Sequence, residues 1–481
     1  MKAYDRYISK QDIMRIHENT LRILENIGVD FENEKALDLF RSHGMRVDGS
    51  KVYIGQKALE EALRLVPPYF DLHVGADRPL RVGFGGNFVI KSPSAGNVYI
   101  NDRGKIRKMD NNDIIRQFKL AETSPVVNQS GMNFLADYSG CNEEQKKFGV
   151  IAMQLKYSHH YPINLVADIY SAGDKKAYKI FKEAILLQKH FHGYDDGRYY
   201  SLRDASVLSP LAVDRDSVER IFATLELGQP MSFSACAMPL LTAPGSLAGM
   251  LSTTNAEILS CVVLSQLYRP GTPMMYGNVS TGTSMKECTI AFGAPETALV
   301  CYATAALADL YQIPFRTGGS YSDAKELDAQ AGAETMMMLH ASYECGSHYI
   351  GHSIGNLGSL NVGSFEKCIF DEELTRVVER QLRGVEATEE KLAYETIQTV
   401  GPRGTFLTGK TPRYFREEVY QPALLNKEDP NVWQNRGSKP LWEAALEIAE
   451  ARIASYTPPQ RTKEQLALLD PYLPPQYKNG I

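Results

Sequence analysis

Residues 231–278 read MSFSACAMPLLTAPGSLAGMLSTTNAEILSCVVLSQLYRPGTPMMYGN. The stretch opens with a short apolar β-former run, Met231–Ala235. It continues through a long helical pattern from Ser246 to Leu267 and ends on a second such run, Pro273–Tyr276. Buried strand, helix and buried strand in that order form the repeating unit of a parallel sheet.

Working outward, the same rhythm recurs. Strands are expected near Val126–Asn128, Ile163–Asp168, Tyr199–Val207, Pro314–Thr317 and His348–His352. Helices are expected over Asn142–Tyr157, Asp174–Lys189, Asp214–Leu227, Ala294–Leu310 and Leu327–Glu344. A period of roughly 35 to 45 residues predicts an α/β fold, a (β/α)8 TIM barrel. Seven strands are legible, and the segment from Phe88 to Ile100 is a candidate for the eighth. Before the barrel, residues 1–105 read as a cap. It has a helical pair over Ser9–Phe40, a helix at Gly55–Leu65, and a hairpin joining Phe88–Ile90 to Val98–Ile100. The core spans 106–383, and 384–481 reads as a C-terminal helical extension whose last two dozen residues, with Pro458-Pro459 and Pro474-Pro475, are expected to be extended.

The chain has 481 residues, 43% hydrophobic and 23% charged, with a formal charge of -5, so it can bury a large core and carries no general field for polyanions. Nucleic acid and anionic membrane are poor partners on that ground. Seven scattered cysteines without a CxxC argue against a disulfide framework and for a reducing compartment. No stretch reaches the roughly 18 apolar residues that span a bilayer, so a soluble cytoplasmic protein is expected.

In such a barrel the reacting groups sit where strands end. That rule selects Asp168, Ser206 and Ser209, Ser234 and Cys236, Tyr276 and Asn278, Arg316 to Ser320 with Asp323, and His348 with His352. Cys345, His348 and His352 have metal-like spacing if helical, but Gly346, Gly351 and Gly355 argue for irregular chain, so no metal is expected. The glycine clusters at 83–86 and 318–319 match no dinucleotide or P-loop spacing. With 26 tyrosines the chain can surround a cation with ring faces, although core packing accounts for most rings.

Four blocks in order carry a family resemblance: Ile16–Val29 (IHENTLRILENIGV), Asp323–Glu334 (DAKELDAQAGAE), Gly346–Asp371 (GSHYIGHSIGNLGSLNVGSFEKCIFD) and Gly401–Glu418 (GPRGTFLTGKTPRYFREE). Over nearly its whole length the chain resembles the trimethylamine methyltransferase superfamily. The resemblance implies a TIM barrel that takes a methylated amine and meets a separate corrinoid protein. The founding members use pyrrolysine, whereas the matching region here, around His348 to Leu357, holds standard residues. The resemblance therefore points to the non-pyrrolysine branch, whose members demethylate glycine betaine and related quaternary amines. It implies methyl transfer to the Co(I) of a cognate corrinoid protein, with no tightly bound cofactor, and the long C-terminal extension offers surface for a homo-oligomer.

A quaternary nitrogen is already cationic, so it leaves as a neutral tertiary amine without a general acid. On this reading Tyr99 and Tyr276 supply ring faces and Asp323 and Glu334 negative charge. Arg316, His348 or His352 takes the substrate carboxylate, with Asn278 and Ser320 as further polar contacts. Two alternatives stand beside it: a zinc-dependent or other TIM-barrel enzyme, and a non-catalytic betaine-binding protein.

Overall fold

The structure is a computed structural model that describes residues 2–75, 78–94, 96–167, 176–195, 197–407 and 411–481, the last stretch with side chains from 415 onward. The chain is α/β. Six strands form the main sheet: β1 (Ile90–Lys91), β2 (Arg203–Ser206), β3 (Met231–Ala235), β4 (Met274–Asn278), β5 (Phe315–Gly318) and β6 (Tyr349–Gly351). They lie in the order β1-β6-β5-β4-β3-β2, and every pairing is parallel.

Parallel neighbours cannot be joined by a tight turn. Helices Arg215–Glu226, Leu247–Tyr268, Pro295–Tyr311 and Ala329–Glu344 connect β2 through β6 in turn. Their starts are set by residue type. Asp214, Ser246 and Asp328 each cap a backbone N–H three residues on, and Pro295 occupies a first-turn position that needs no donor. Leu247–Tyr268 spreads its apolar residues around the whole helix and is buried from Met250 to Gln266, with its polar side chains enclosed as well. It is the one helix among the described residues long and apolar enough to cross a membrane, and 83% of its apolar window is buried.

Several expectations need correction. The runs at Phe88–Ile90 and Val98–Ile100 do not form a hairpin with each other. Ile90–Lys91 joins the main sheet beside β6, although it lies within the stretch read as cap, and Tyr99–Asp102 pairs with Lys105–Lys108 in a separate sheet. Near 126–128 and 163–168 no strand is assigned among the described residues, and Asp168 lies outside them. Backbone bonds still link the extended pieces found there. Asn128 N and Gln129 N donate to Lys91 O, Tyr161 N to Asn128 O, Ser130 N to Tyr161 O, and Leu202 N to Ile163 O. The C-terminal segment contains a helix, Lys463–Leu469, where an extended chain was expected. Thr462 and Gln465 form a capping box there, three residues past Pro459.

Side chains alternate across the strands. Met274, Tyr276, Phe233 and Phe315 face the helices, whereas Met275, Ile90 and Tyr349 pack in the sheet's interior with Ile163 and Leu202. Phe70, Leu72 and Val82, from a small antiparallel pair Tyr69–Leu72 and Leu80–Gly83, belong to that same interior cluster.

Candidate active site

At the carboxyl ends of the strands lies a cavity of about 190 Å3, where open α/β sheets place their ligands. It is lined by Ser92, Pro93, Gln129, Ser130, Gly131, Asn133, Asn164, Val166, Asp204, Ser206, Arg220, Arg316, Tyr349 and His352.

Its charged centre is an ion pair between Arg316 on β5 and Asp204 on β2. Two strands separate them in the sheet, so Arg316 crosses the interior. Glycines make that crossing possible. A Cβ on Gly277 would stand 2.5 Å from Ser234 Oγ and 2.7 Å from Arg316 Cγ, and one on Gly351 3.1 Å from Arg316 Nη2. The guanidinium also lies 4.8 Å from the centre of the Tyr349 ring. Burial opposes its charge, but Asp204 outweighs that penalty and holds the Arg316 pKa above its ordinary value.

His352, just past β6, has φ +52°, the left-handed region that costs a residue with a Cβ. Its backbone is held there by four bonds. His352 N donates to Ser92 Oγ (3.2 Å), and its carbonyl accepts from Ser320 N (2.9 Å), Ser320 Oγ (3.2 Å) and Asn356 Nδ2 (3.0 Å). Burial and the Arg316 charge bring its imidazole pKa down to about 4, so the ring is neutral near pH 7. Strain upheld by several bonds beside a cavity makes His352 a candidate functional group.

Buried polar atoms of wall residues without a hydrogen-bond partner among the described residues include the acceptors Gln129 Oε1 and Asp204 Oδ1, together with His352 Nδ1 and Arg316 Nε. Arg220 reaches the wall from the Arg215–Glu226 helix and donates to Asp204 O at 2.8 Å.

Of the residues selected from the sequence, Arg316, His352 and Ser206 line the cavity. Ser320 stands behind His352 and supports its carbonyl. Tyr276 and Asn278 face the helices. The Tyr276 hydroxyl donates to Asn255 Oδ1 at 3.0 Å, and Asn278 Nδ2 to Thr254 Oγ1 at 3.0 Å. Asp323 accepts from Phe292 N, Gly293 N and Ser359 Oγ, and Glu334 accepts from Ser322 Oγ and Asp323 N. Both carboxylates therefore tie loops together. Tyr99 sits in the separate sheet, 44% exposed. His348 is at the amino end of β6, against Phe84 and Phe315, with its pKa lowered to about 4 by burial. Neither histidine offers a fixed positive charge for a carboxylate. Cys345 lies 3.6 Å from Cys301, and His348 and His352 flank opposite ends of β6, so the three candidate metal ligands do not converge.

Asp204, Gln129 and Arg220 escaped the sequence reading. Asp204 was findable: it lies two residues before Ser206 in the same strand and shares its face.

Residues 3–476 match the trimethylamine methyltransferase (MTTB) family. The chain is 36% identical to the L-carnitine:corrinoid methyltransferase of Eubacterium limosum, covering 99% of each chain. It is 34% identical to the proline betaine:corrinoid methyltransferase of the same organism, again over 99% of each. With the glycine betaine methyltransferase of Desulfitobacterium hafniense (strain Y51) it shares 32% identity, over 97% of this chain and 96% of the other. A match across almost every residue makes the chain a member of the trimethylamine methyltransferase family.

Proposed function

We propose that the protein moves a methyl group from a quaternary amine of the betaine class to the Co(I) of a separate corrinoid protein. The observation that carries this is an interior cavity with a fixed Arg316–Asp204 pair and unpartnered polar atoms, in a chain similar along its length to three methyltransferases named for betaines or carnitine.

The methyl carbon's bond to nitrogen breaks as its bond to cobalt forms, and the nitrogen leaves as a neutral tertiary amine. No proton is needed at the leaving atom, which fits a wall whose histidine is neutral. The chain's work is to hold the zwitterion with one methyl toward the opening at the strands' carboxyl ends and to exclude water. Arg316 supplies fixed charge, and His352 a wall whose position does not depend on protonation.

The same reading takes the fold as a closed (β/α)8 barrel, with the extended pieces at 128–130 and 161–163 as the two members between β1 and β2. Their backbone bonds to Lys91 and Leu202 support it.

The test is to supply L-carnitine, proline betaine, glycine betaine and trimethylamine in turn to the enzyme with a reduced corrinoid protein, and to follow cobalt methylation by absorbance. One zwitterion is expected to methylate cobalt and trimethylamine is not. Consumption of trimethylamine, or silence with every quaternary amine, would overturn the proposal.

A further inference from the structure

The cavity has one tyrosine ring among its described wall residues, and that ring's face is already taken. The Arg316 guanidinium lies over Tyr349. Among the described wall residues a quaternary ammonium therefore finds no tyrosine face free of that guanidinium. What remains on the wall is Asp204, the only carboxylate among the described lining residues. One of its oxygens pairs with Arg316 and the other, Oδ1, has no partner among the described residues. Gln129 is a second, independent sign of a missing ligand. It is 4% exposed, lines the same cavity, and its Oε1 has no donor among the described residues. Leaving such buried acceptors unmatched costs free energy that a bound molecule would recover.

A tetraalkylated nitrogen has no N–H to give, so it meets acceptors through its diffuse charge and polarised methyl groups. A carboxylate oxygen released from hydrogen bonding is suited to that. Water excluded from a closed cavity strengthens the attraction further. Arg316 and Arg220 both reach this wall, so the site carries no excess negative charge with which to trap an inorganic cation, while the Asp204 oxygen turned from Arg316 remains a local negative point for the zwitterion's nitrogen.

We propose that Asp204 is the charge selector of this site: its unpaired oxygen seats the quaternary nitrogen and distinguishes it from a neutral group of the same shape. The inference rests on the betaine reading for the class of ligand, but its test needs no corrinoid protein.

The test is calorimetric and uses pairs that differ only in charge. L-Carnitine is compared with 3-hydroxy-5,5-dimethylhexanoate, and glycine betaine with 3,3-dimethylbutanoate, in which carbon replaces the nitrogen. The wild-type chain is expected to favour the charged member of whichever pair it binds by tenfold or more, about 1.4 kcal/mol. Asp204→Asn keeps the shape and an acceptor for Arg316, and it is expected to reduce that preference to roughly threefold or less. If thermal melting shows that Asp204→Asn does not fold, Asp204→Ser combined with Arg316→Met removes both charges and is read in the same way. Equal wild-type binding within both pairs overturns the proposal, as does a preference that survives the loss of Asp204. A protein that prefers the cation through Asp204 yet methylates no corrinoid would sink the reaction proposed above and leave this inference standing. Methylation without an Asp204-dependent preference would do the reverse.

Discussion

Arg316 and Asp204 meet across the interior of the sheet from strands three places apart, over the space that Gly277 leaves open. The pair is largely enclosed, with the Arg316 side chain 7% and the Asp204 side chain 24% exposed. Removing one member of such a pair leaves a charge without its partner, which costs more than losing both. Arg316→Met is therefore expected to destabilise the chain by about 3 kcal/mol and to abolish methyl transfer. Arg316→Met with Asp204→Leu should regain part of the stability and none of the activity. Chemical denaturation of the three proteins measures this, and equal stability of single and double variants would contradict it.

His352 separates backbone from side chain. At φ +52° an alanine carries the same strain as histidine, whereas glycine carries none. His352→Gly is expected to be more stable than His352→Ala by about 1 kcal/mol, with both losing most substrate affinity because the ring is gone. Because the imidazole pKa is down at about 4, its protonation is not expected to shape activity between pH 6 and pH 9. An alkaline shift in the pH profile that disappears in His352→Gly would show that the ring titrates in that range.

Much of the fold was legible because β3 to β6 are short β-rich buried runs separated by long helices, and Met231–Ala235 was placed to the residue. The pieces at 128–130 and 161–163 hold polar residues such as Asn128, Gln129 and Ser130 and form isolated bridges rather than ladders, so their β pattern is faint. The site was read less well for a reason of parity. On β4, the polar ends of Tyr276 and Asn278 bond to the Leu247–Tyr268 helix, while the residue between them that serves the cavity is Gly277, which acts by having no side chain. Sequence marks groups that react more clearly than it marks room. Asp323 and Glu334 were chosen as free charges, and nothing local shows that backbone N–H groups of Phe292, Gly293 and Asp323 consume them.

Glu257 offers a pH test. It lies within the Leu247–Tyr268 helix and accepts from Ser209 Oγ (2.7 Å) and Leu211 N (2.8 Å), fastening the loop that follows β2. Burial raises its pKa to about 7 in spite of those two bonds. The folded state thus holds this proton over a range where the unfolded chain has released it. Stability from this group is present at low pH and falls as pH rises through about 7. The fall is at most about 3 kcal/mol. Glu257→Gln keeps an acceptor without the charge, so its melting temperature should vary less between pH 5 and pH 8 than that of the wild type. Parallel melting curves for the two proteins across that range would rule this out.

Gly277→Ala tests whether the interior space is what the site depends on. The added methyl would stand 2.5 Å from Ser234 Oγ, 2.7 Å from Arg316 Cγ and 2.7 Å from Phe233 O. The backbone carbonyl belongs to β3 and cannot yield, whereas the Ser234 hydroxyl can rotate and the Arg316 stem can shift. Moving Arg316 clears one contact and pulls the guanidinium from Asp204 and from the Tyr349 face, while the contact with Phe233 O is cleared only by a small shift of the β4 backbone that carries the new methyl. Overpacking of this kind costs about 1 to 3 kcal/mol, small enough for the fold to survive. The effect on function should be larger than the effect on stability, because kcat/KM follows the position of the charged pair. A variant that melts within a few degrees of the wild type but loses most of kcat/KM is the expected result. Full activity in Gly277→Ala would mean that Arg316 need not lie where it does.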